Sequence, residues 1–332
     1  MPRTRIVSTG FCVPDRVVTN EELAGLMDTS DEWIRKRSGI EERHWVEDGQ
    51  GGTELGTEAA REALNRAGLT PEDVDCVIVA TLSPDHFFPG TGVFIQRTLG
   101  IPPGVPCLDV RNQCSGFLYG LSVADAWIRG GQYECVLLIG VEVHSTGLDK
   151  TTAGRDTAVL FGDGAGATVV MPSDDPDRGV LSVHLHADGR YAEKLWVEAP
   201  ACRYDPIISD EYIGRGMMRP KMEGREVFKN AVVRMPEAVH EALETNGLTV
   251  EDLAMVIPHQ ANLRISQAVQ KALGLPDHKV FNNIQRYGNT TAATIPIALH
   301  ECIEAGGIQD GDLVCLTAFG SGFTWGSALI RW

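Results

Sequence analysis

Basic charge is scarce in this chain of 332 residues: 29 Lys and Arg stand against 45 Asp and Glu, a formal net charge of −16. A general nucleic-acid binder needs a basic field, so that class is excluded, although a small local basic patch stays compatible. No apolar run approaches the roughly 20 residues that span a bilayer. The opening MPRTRIVSTGFCVP also lacks the apolar stretch of a secretory leader. These absences predict a cytoplasmic protein with no membrane partner. No CxxC pair occurs among the eight cysteines and no histidine cluster accompanies them, which argues against a metal site. Low-complexity tracts are absent too, and so the chain reads as globular throughout.

What is present is an alternation. VDCVIVAT, ECVLLIGVE, GATVVMP, LAMVIPH and DLVCLTAFG read as buried strands. TELGTEAAREALNRAG, SGFLYGLSVADAWIRGG, NAVVRMPEAVHEALETNG, ISQAVQKALG and TTAATIPIALHECIEAGG read as amphipathic helices. This pattern predicts layered α/β architecture. Cys76, Cys135 and Cys315 fall in or beside the apolar runs and read as small buried hydrophobes.

A repeat lies within the alternation. EALNRAGLTPEDVDCVI (62–78) and EALETNGLTVEDLAMVI (241–257) match at ten of 17 positions without a gap. Each is a helix end closed by glycine, an acidic turn and a buried strand. The reading is a fold of two similar halves, 1–175 and 176–332. Ligands of such sheets collect where strands end and helices begin.

Three segments place polar groups at such junctions. Cys114 precedes a helix whose first turn holds Ser115 and Gly116, where unpaired N–H groups and the helix dipole stabilise a thiolate. His259 follows a strand, with Asn262 and Arg264 close behind, in PHQANLRI. Gly288 and Asn289 turn into a helix capped by Thr290 or Thr291. Each residue alone has an ordinary structural reading, but together at equivalent junctions they form a candidate site. FGDGAGA, with glycines at 162, 164 and 166, fits neither GxGxxG nor a Walker sequence. It reads as close-packed backbone, without a dinucleotide or other cofactor.

NQCSGFLYGL, PHQANLRI, YGNTTAATIPIAL and FGSGFTWGSALIRW, with DEWIRKRSGIEERH and RDTAVLFGDGAGA, resemble the β-ketoacyl-[acyl-carrier-protein] synthase III family over nearly the whole chain. The resemblance implies an α/β thiolase-like fold, two similar halves in an α-β-α-β-α sandwich. It implies that Cys114 takes an acyl group from acyl-CoA as a thioester, and that His259 and Asn289 hold the thioester carbonyl of malonyl-acyl carrier protein during decarboxylation. The backbone N–H groups of Cys114 and Ser321 would form a second oxyanion hole; the family usually carries Gly or Ala at the latter position. Trp33 and Arg155 would flank adenine, Arg37 would meet phosphate, and Gly224, Phe228 and Asn262 would line the pantetheine arm. Lys229, Arg264 and Lys271 would offer a basic patch to the acidic carrier protein. A homodimer is implied as well, with Phe88 reaching into the partner's acyl pocket.

Related chemistries are separated by the same residues. Thiolases need a second cysteine near the C-terminus, which FGSGFTWGSAL lacks, and elongating synthases pair cysteine with two histidines. The segments around the Cys/His/Asn set do not look like those of plant-type polyketide synthases. No catalytic glutamate of the 3-hydroxy-3-methylglutaryl-CoA synthase kind is placed. A non-catalytic chain-shaping partner would lack Cys114. A condensing enzyme or acyltransferase of secondary metabolism stays open, because segment 198–224 is longer than the family pattern and adjoins the expected tunnel.

Overall fold

In the computed structural model, which describes residues 2–332, the apolar runs become strands of two sheets. The first sheet holds β1 (Thr4–Cys12), β2 (Cys76–Ala80), β3 (Cys107–Val110), β4 (Val136–Glu142) and β5 (Gly164–Pro172). Across it the order is β1-β5-β4-β2-β3. The second sheet holds β6 (Gly179–Ala187), β7 (Met255–Pro258), β8 (Leu313–Gly320) and β9 (Thr324–Arg331), ordered β6-β9-β8-β7. A parallel bridge from Val256 to Val280 stands beside β7 where β3 stands beside β2. With it, the two sheets share one strand order and one pattern of parallel and antiparallel pairing.

The repeated sequence therefore encodes repeated topology. Asp73 and Asp252 each accept the backbone N–H of the threonine that opens the turn, Thr70 and Thr249, at 2.8 Å. Gly68 and Gly247 end the preceding helices at φ 70° and 66°, a region that glycine enters without strain.

Successive strand residues face opposite sides, and this alternation builds the layers. Ile78, Leu138, Ile257 and Leu316 face a middle layer of two helices, Gly116–Arg129 and Thr294–Glu304. Val77, Val79, Leu137 and Ile139 pack outward on helices Gly52–Ala67 and Thr91–Leu99. Val256, Cys315 and Leu329 pack outward on helices Gly224–Thr245 and Leu263–Leu273. The result is the α-β-α-β-α sandwich. In chain order these helices are numbered α2 (52–67), α3 (91–99), α4 (116–129), α5 (224–245), α6 (263–273) and α7 (294–304). The helix expected from Asn230 begins earlier, at Gly224, and accommodates Pro236 inside it.

A separate apolar cluster roofs one end of the sandwich. Val18, Leu23, Ile34, Ile40 and Trp45 pack there with Leu148, Val159 and Phe161. Buried Arg43 ties it together, donating to the Val18 and Val159 carbonyls and to Asn20 Oδ1 at 2.8–3.1 Å. This roof carries α1 (Asp31–Ser38), the source of Trp33 and Arg37. Among the described residues no helix is long and apolar enough to cross a membrane.

Candidate active site

Cys114 sits in a tight 3-10 turn, Gln113–Ser115, immediately ahead of α4. Gln113 is held at φ 46°, a left-handed conformation that costs a non-glycine residue about 1–3 kcal/mol. The turn is fastened by Ser115, whose hydroxyl donates to the Thr324 carbonyl at 3.1 Å. Gly320, at the end of β8, presses against the nucleophile: a Cβ there would lie 2.7 Å from Cys114 Cβ and 3.2 Å from its sulfur. Glycine is required at that contact.

Burial opposes the thiolate stabilisation expected from the helix start. Cys114 is only 7% exposed, and desolvation, with the nearby Glu142 carboxyl adding to it, pushes the thiol up to about 12. A helix end supplies about half a charge, which does not offset the loss of water around a sulfur anion. The backbone N–H groups of Cys114 and Ser321 act in the opposite direction, because both reach the sulfur. They are the pair expected to hold an oxyanion. Ser321 is partly exposed, so its hydroxyl has room.

His259 leaves the end of β7 with its backbone N–H bonded to the Thr317 carbonyl of β8 at 2.7 Å. Its Nδ1 lies 2.6 Å from Thr294 Oγ1, while Nε2 is buried and has no protein partner among the described residues. Burial lowers the ring's pKa to about 3, so the imidazole is neutral. Asn289 is anchored by its own backbone, with N–H to Leu160 O at 2.8 Å and C=O from Gly162 N at 3.1 Å. Its Oδ1 accepts the Thr291 N–H at 2.9 Å, which fixes the amide and reserves Nδ2 as the donor end.

The expected cap is corrected too. A 3-10 turn, Thr291–Ala293, intervenes before α7; the residue at the α7 N-cap is Ala293, and no threonine side chain caps it. Within that turn the Ala293 N–H, which a Thr290 cap would have served, bonds to the Thr290 carbonyl at 2.9 Å. Thr294 donates instead to Thr291 O at 3.0 Å or to His259 Nδ1, so His259 and Asn289 are joined through two threonines.

The two 3-10 turns occupy equivalent places in the two halves, each beginning with a left-handed residue, Gln113 at φ 46° and Thr291 at φ 48°. They meet at the centre of the molecule, where a Cβ on Gly116 would lie 3.5 Å from Ala292 Cβ. Cys114 lies on one of these turns, and Asn289 and, through Thr294, His259 are bonded at the other.

Sequence reasoning missed Glu142, at the end of β4. It is fully buried and takes the Ser83 hydroxyl at 2.6 Å and the Leu82 N–H at 3.2 Å. Burial raises its carboxyl to about 8 against the pull of those donors and the Ala292 N–H. A carboxylate closing the otherwise apolar run VLLIGVE was the available signal.

A cleft of about 620 Å³ is lined by Trp33, Arg37, Gly224, Phe228, Asn262 and Arg264, gathering five of the six residues expected to hold CoA. The sixth, Arg155, lies 5.0 Å over the Trp33 ring, and Arg37 lies 4.4 Å over the same ring. Asn262 caps α6 and donates to the Arg37 carbonyl at 2.9 Å. Arg264 lies 5.7 Å over Phe228, and with Lys229 and Lys271 it is exposed. A second cleft, about 650 Å³, is lined in part by Leu82, Ser83, Phe94 and His144. Segment 198–224 reaches both clefts, with Met218 and Pro220 at this one and Met222 at the other. Phe88 stands 81% exposed on the loop before α3.

FGDGAGA is close-packed backbone, as read: a Cβ on Gly162 would lie 2.2 Å from the Tyr287 carbonyl. Among the described residues no group of three or more His, Cys, Asp or Glu is placed to hold a metal ion.

Comparisons with known proteins follow this geometry. A family model for 3-oxoacyl-[acyl-carrier-protein (ACP)] synthase III matches residues 108–189, and one for the C-terminal part of that enzyme matches residues 243–332. The chain is 47% identical to a β-ketoacyl-[acyl-carrier-protein] synthase III of Acidiphilium cryptum over 335 aligned residues, covering 100% of both chains. It is similar to the solved 3-oxoacyl-[acyl-carrier-protein] synthase III of Aquifex aeolicus, with 44% identity, a TM-score of 0.90 and coverage of 99% and 100%. The solved priming β-ketosynthase of the R1128 polyketide biosynthetic pathway is 34% identical, with a TM-score of 0.89 and coverage of 99% and 96%.

Proposed function

The chain belongs to the β-ketoacyl-[acyl-carrier-protein] synthase III family, and from that premise we infer how its own residues divide the reaction. It is an acyltransferase that condenses an acyl-CoA primer with malonyl-acyl carrier protein, initiating fatty-acid synthesis. The relatives at 44–47% identity carry the synthase III name, which supports this reading over a specialised one.

In the first step the Cys114 sulfur bonds to the acyl carbonyl carbon. CoA departs as a thiol, taking the proton that Cys114 loses. The Cys114 and Ser321 N–H groups receive the oxyanion of the tetrahedral intermediate. In the second step the malonyl thioester carbonyl accepts from His259 Nε2 and Asn289 Nδ2. Carbon dioxide leaves, its bonding electrons pass into an enolate, and the enolate carbon attacks the acyl-Cys114 carbonyl. The Cys114 sulfur leaves as a thiolate and takes a proton from solvent, and the β-ketoacyl chain on the carrier protein is two carbons longer than the primer. For Nε2 to donate, the Thr294 hydroxyl donates to Nδ1, as the 2.6 Å contact permits.

The observation that carries this reading is the pairing of a buried, unpartnered imidazole nitrogen with an amide whose oxygen is already committed. The two donors flank the turn that adjoins the nucleophile. The 620 Å³ cleft takes CoA and then the carrier's pantetheine arm, and Lys229, Arg264 and Lys271 meet the acidic carrier protein. The exposed Phe87 and Phe88, 60% and 81%, support a homodimer in which Phe88 enters the partner's acyl pocket. Its substrates place the enzyme in the cytoplasm.

Incubation with radiolabelled acetyl-CoA tests the assignment. Label is expected on Cys114, lost in Cys114→Ser, and discharged by malonyl-carrier protein. An unlabelled Cys114, across a panel of acyl-CoA lengths, overturns it.

A further inference from the structure

His144 follows β4 and has no part in the reaction above. Its Nε2 lies 2.6 Å from Thr291 Oγ1. The ring lies 4.6 Å from that of Phe161, tilted by 37°. Its backbone N–H and that of Ser145 both donate to Asp163 Oδ1, at 2.6 and 2.9 Å. Asp163 is fully buried and also takes the Val46 N–H at 2.8 Å. His144 is therefore held at both backbone and ring. Burial brings its pKa down to about 4 against the pull of Asp163, so the ring is neutral.

Its partner is the unusual residue. Thr291 is β-branched yet left-handed, at φ 48°, a conformation that persists only where surroundings over-determine it. Its N–H and its hydroxyl are both engaged. The N–H goes to Asn289 Oδ1 at 2.9 Å, the carbonyl lies 3.0 Å from Thr294 Oγ1, and the hydroxyl meets His144. Thr294 Oγ1 in turn lies 2.6 Å from His259 Nδ1. Thr291 thus holds the amide of one of the two donors to the malonyl carbonyl. In the other half the equivalent left-handed position, Gln113, directly precedes the nucleophile.

We propose that His144 is a positioning residue that locks Thr291 and, through it, aims Asn289 Nδ2. The inference rests on the condensing reaction assigned above. It predicts that the decarboxylating step depends on His144 while acyl transfer to Cys114 does not.

The test uses His144→Leu, which keeps bulk against Phe161, and His144→Gln, whose amide can replace Nε2. Thr291→Val and the double variant His144→Leu/Thr291→Val complete the set. Labelled acyl transfer from acyl-CoA and carbon dioxide release from malonyl-carrier protein are measured separately. His144→Leu is expected to acylate at the wild-type rate and to decarboxylate about 10- to 100-fold more slowly, the scale for misplaced or lost donors. His144→Gln recovers most of the rate, and the double variant is no slower than the worse single one. Normal decarboxylation by His144→Leu overturns the proposal. So does an equal loss in both steps, which marks a general packing role, or a loss in acylation alone, which marks an acyl-pocket residue. Multiplying losses in the double variant, or no recovery with Gln, overturn it as well. A wild-type protein that performs neither step refutes the reaction itself, so the two failures are distinct.

Discussion

Asn289→Asp separates the two ends of that side chain. Asn289 Oδ1 accepts the Thr291 N–H at 2.9 Å, and an aspartate oxygen preserves this contact and with it the left-handed turn. The donor Nδ2, however, becomes a second acceptor. Loss of one oxyanion donor costs about 2.7–4 kcal/mol of barrier, or roughly 10²–10³ in rate. The site is 6% exposed, so a carboxylate there also repels the enolate it should stabilise. Decarboxylation is therefore expected to fall by at least about 10²-fold. Asn289→Ala gives a contrasting result. It loses the same donor but also strands the N–H of Thr291, which is 1% exposed, at a cost of about 1–3 kcal/mol in folding. Carbon dioxide release from malonyl-carrier protein is measured for both variants at about pH 8.5, where a carboxyl with its pKa raised by burial is still ionised. Labelled acylation of Cys114 and urea unfolding are followed alongside. Both variants should acylate. Decarboxylation by Asn289→Asp within tenfold of wild type refutes the reasoning.

Gly320→Ala should block acylation, because its Cβ would stand 2.7 Å from Cys114 Cβ and 3.2 Å from the sulfur; label incorporation from acyl-CoA reads this directly. Trp33→Ala removes the ring beneath Arg37 and Arg155, and it should raise KM for acyl-CoA about two- to fivefold, on the scale of an exposed cation–π contact, with kcat kept. His259 gives a stability signature. Its pKa falls from 6.5 to about 3 on folding, so between those values the unfolded chain binds a proton that the native one does not. The native state then loses about 1.4 kcal/mol per pH unit as pH falls through that window. His259→Gln should flatten the wild-type stability curve by that slope between about pH 6 and 4, by urea unfolding, and an unchanged curve would refute a buried neutral ring.

The fold was legible because its signals are local. Short continuous apolar runs marked strands such as Cys76–Ala80, and the 3.6 period marked helices such as Gly116–Arg129. The matched segments 62–78 and 241–257 exposed the duplication, since each copy needs the same glycine stop and acidic turn. Where local signals competed, the reading slipped. Thr290 and Thr291 look like helix caps, but a tight turn over Thr291–Ala293 moves the helix start to Thr294. The helix start at Cys114 suggested a thiolate, but burial among residues remote in the chain decides that equilibrium.

By itself the sequence determined the layered α/β order, the two related halves and the residue types Cys114, His259 and Asn289 at strand–helix junctions. These follow from patterns spanning a turn or a strand, together with motifs long enough to identify a family. Tertiary structure alone decided the protonation and aim of those groups. His144 and Thr291 are separated by 147 positions, His259 and Thr294 by 35, and Ser115 and Thr324 by 209. Proton positions and pKa values depend on which distant atoms replace water around a side chain, and only the assembled sandwich supplies those atoms.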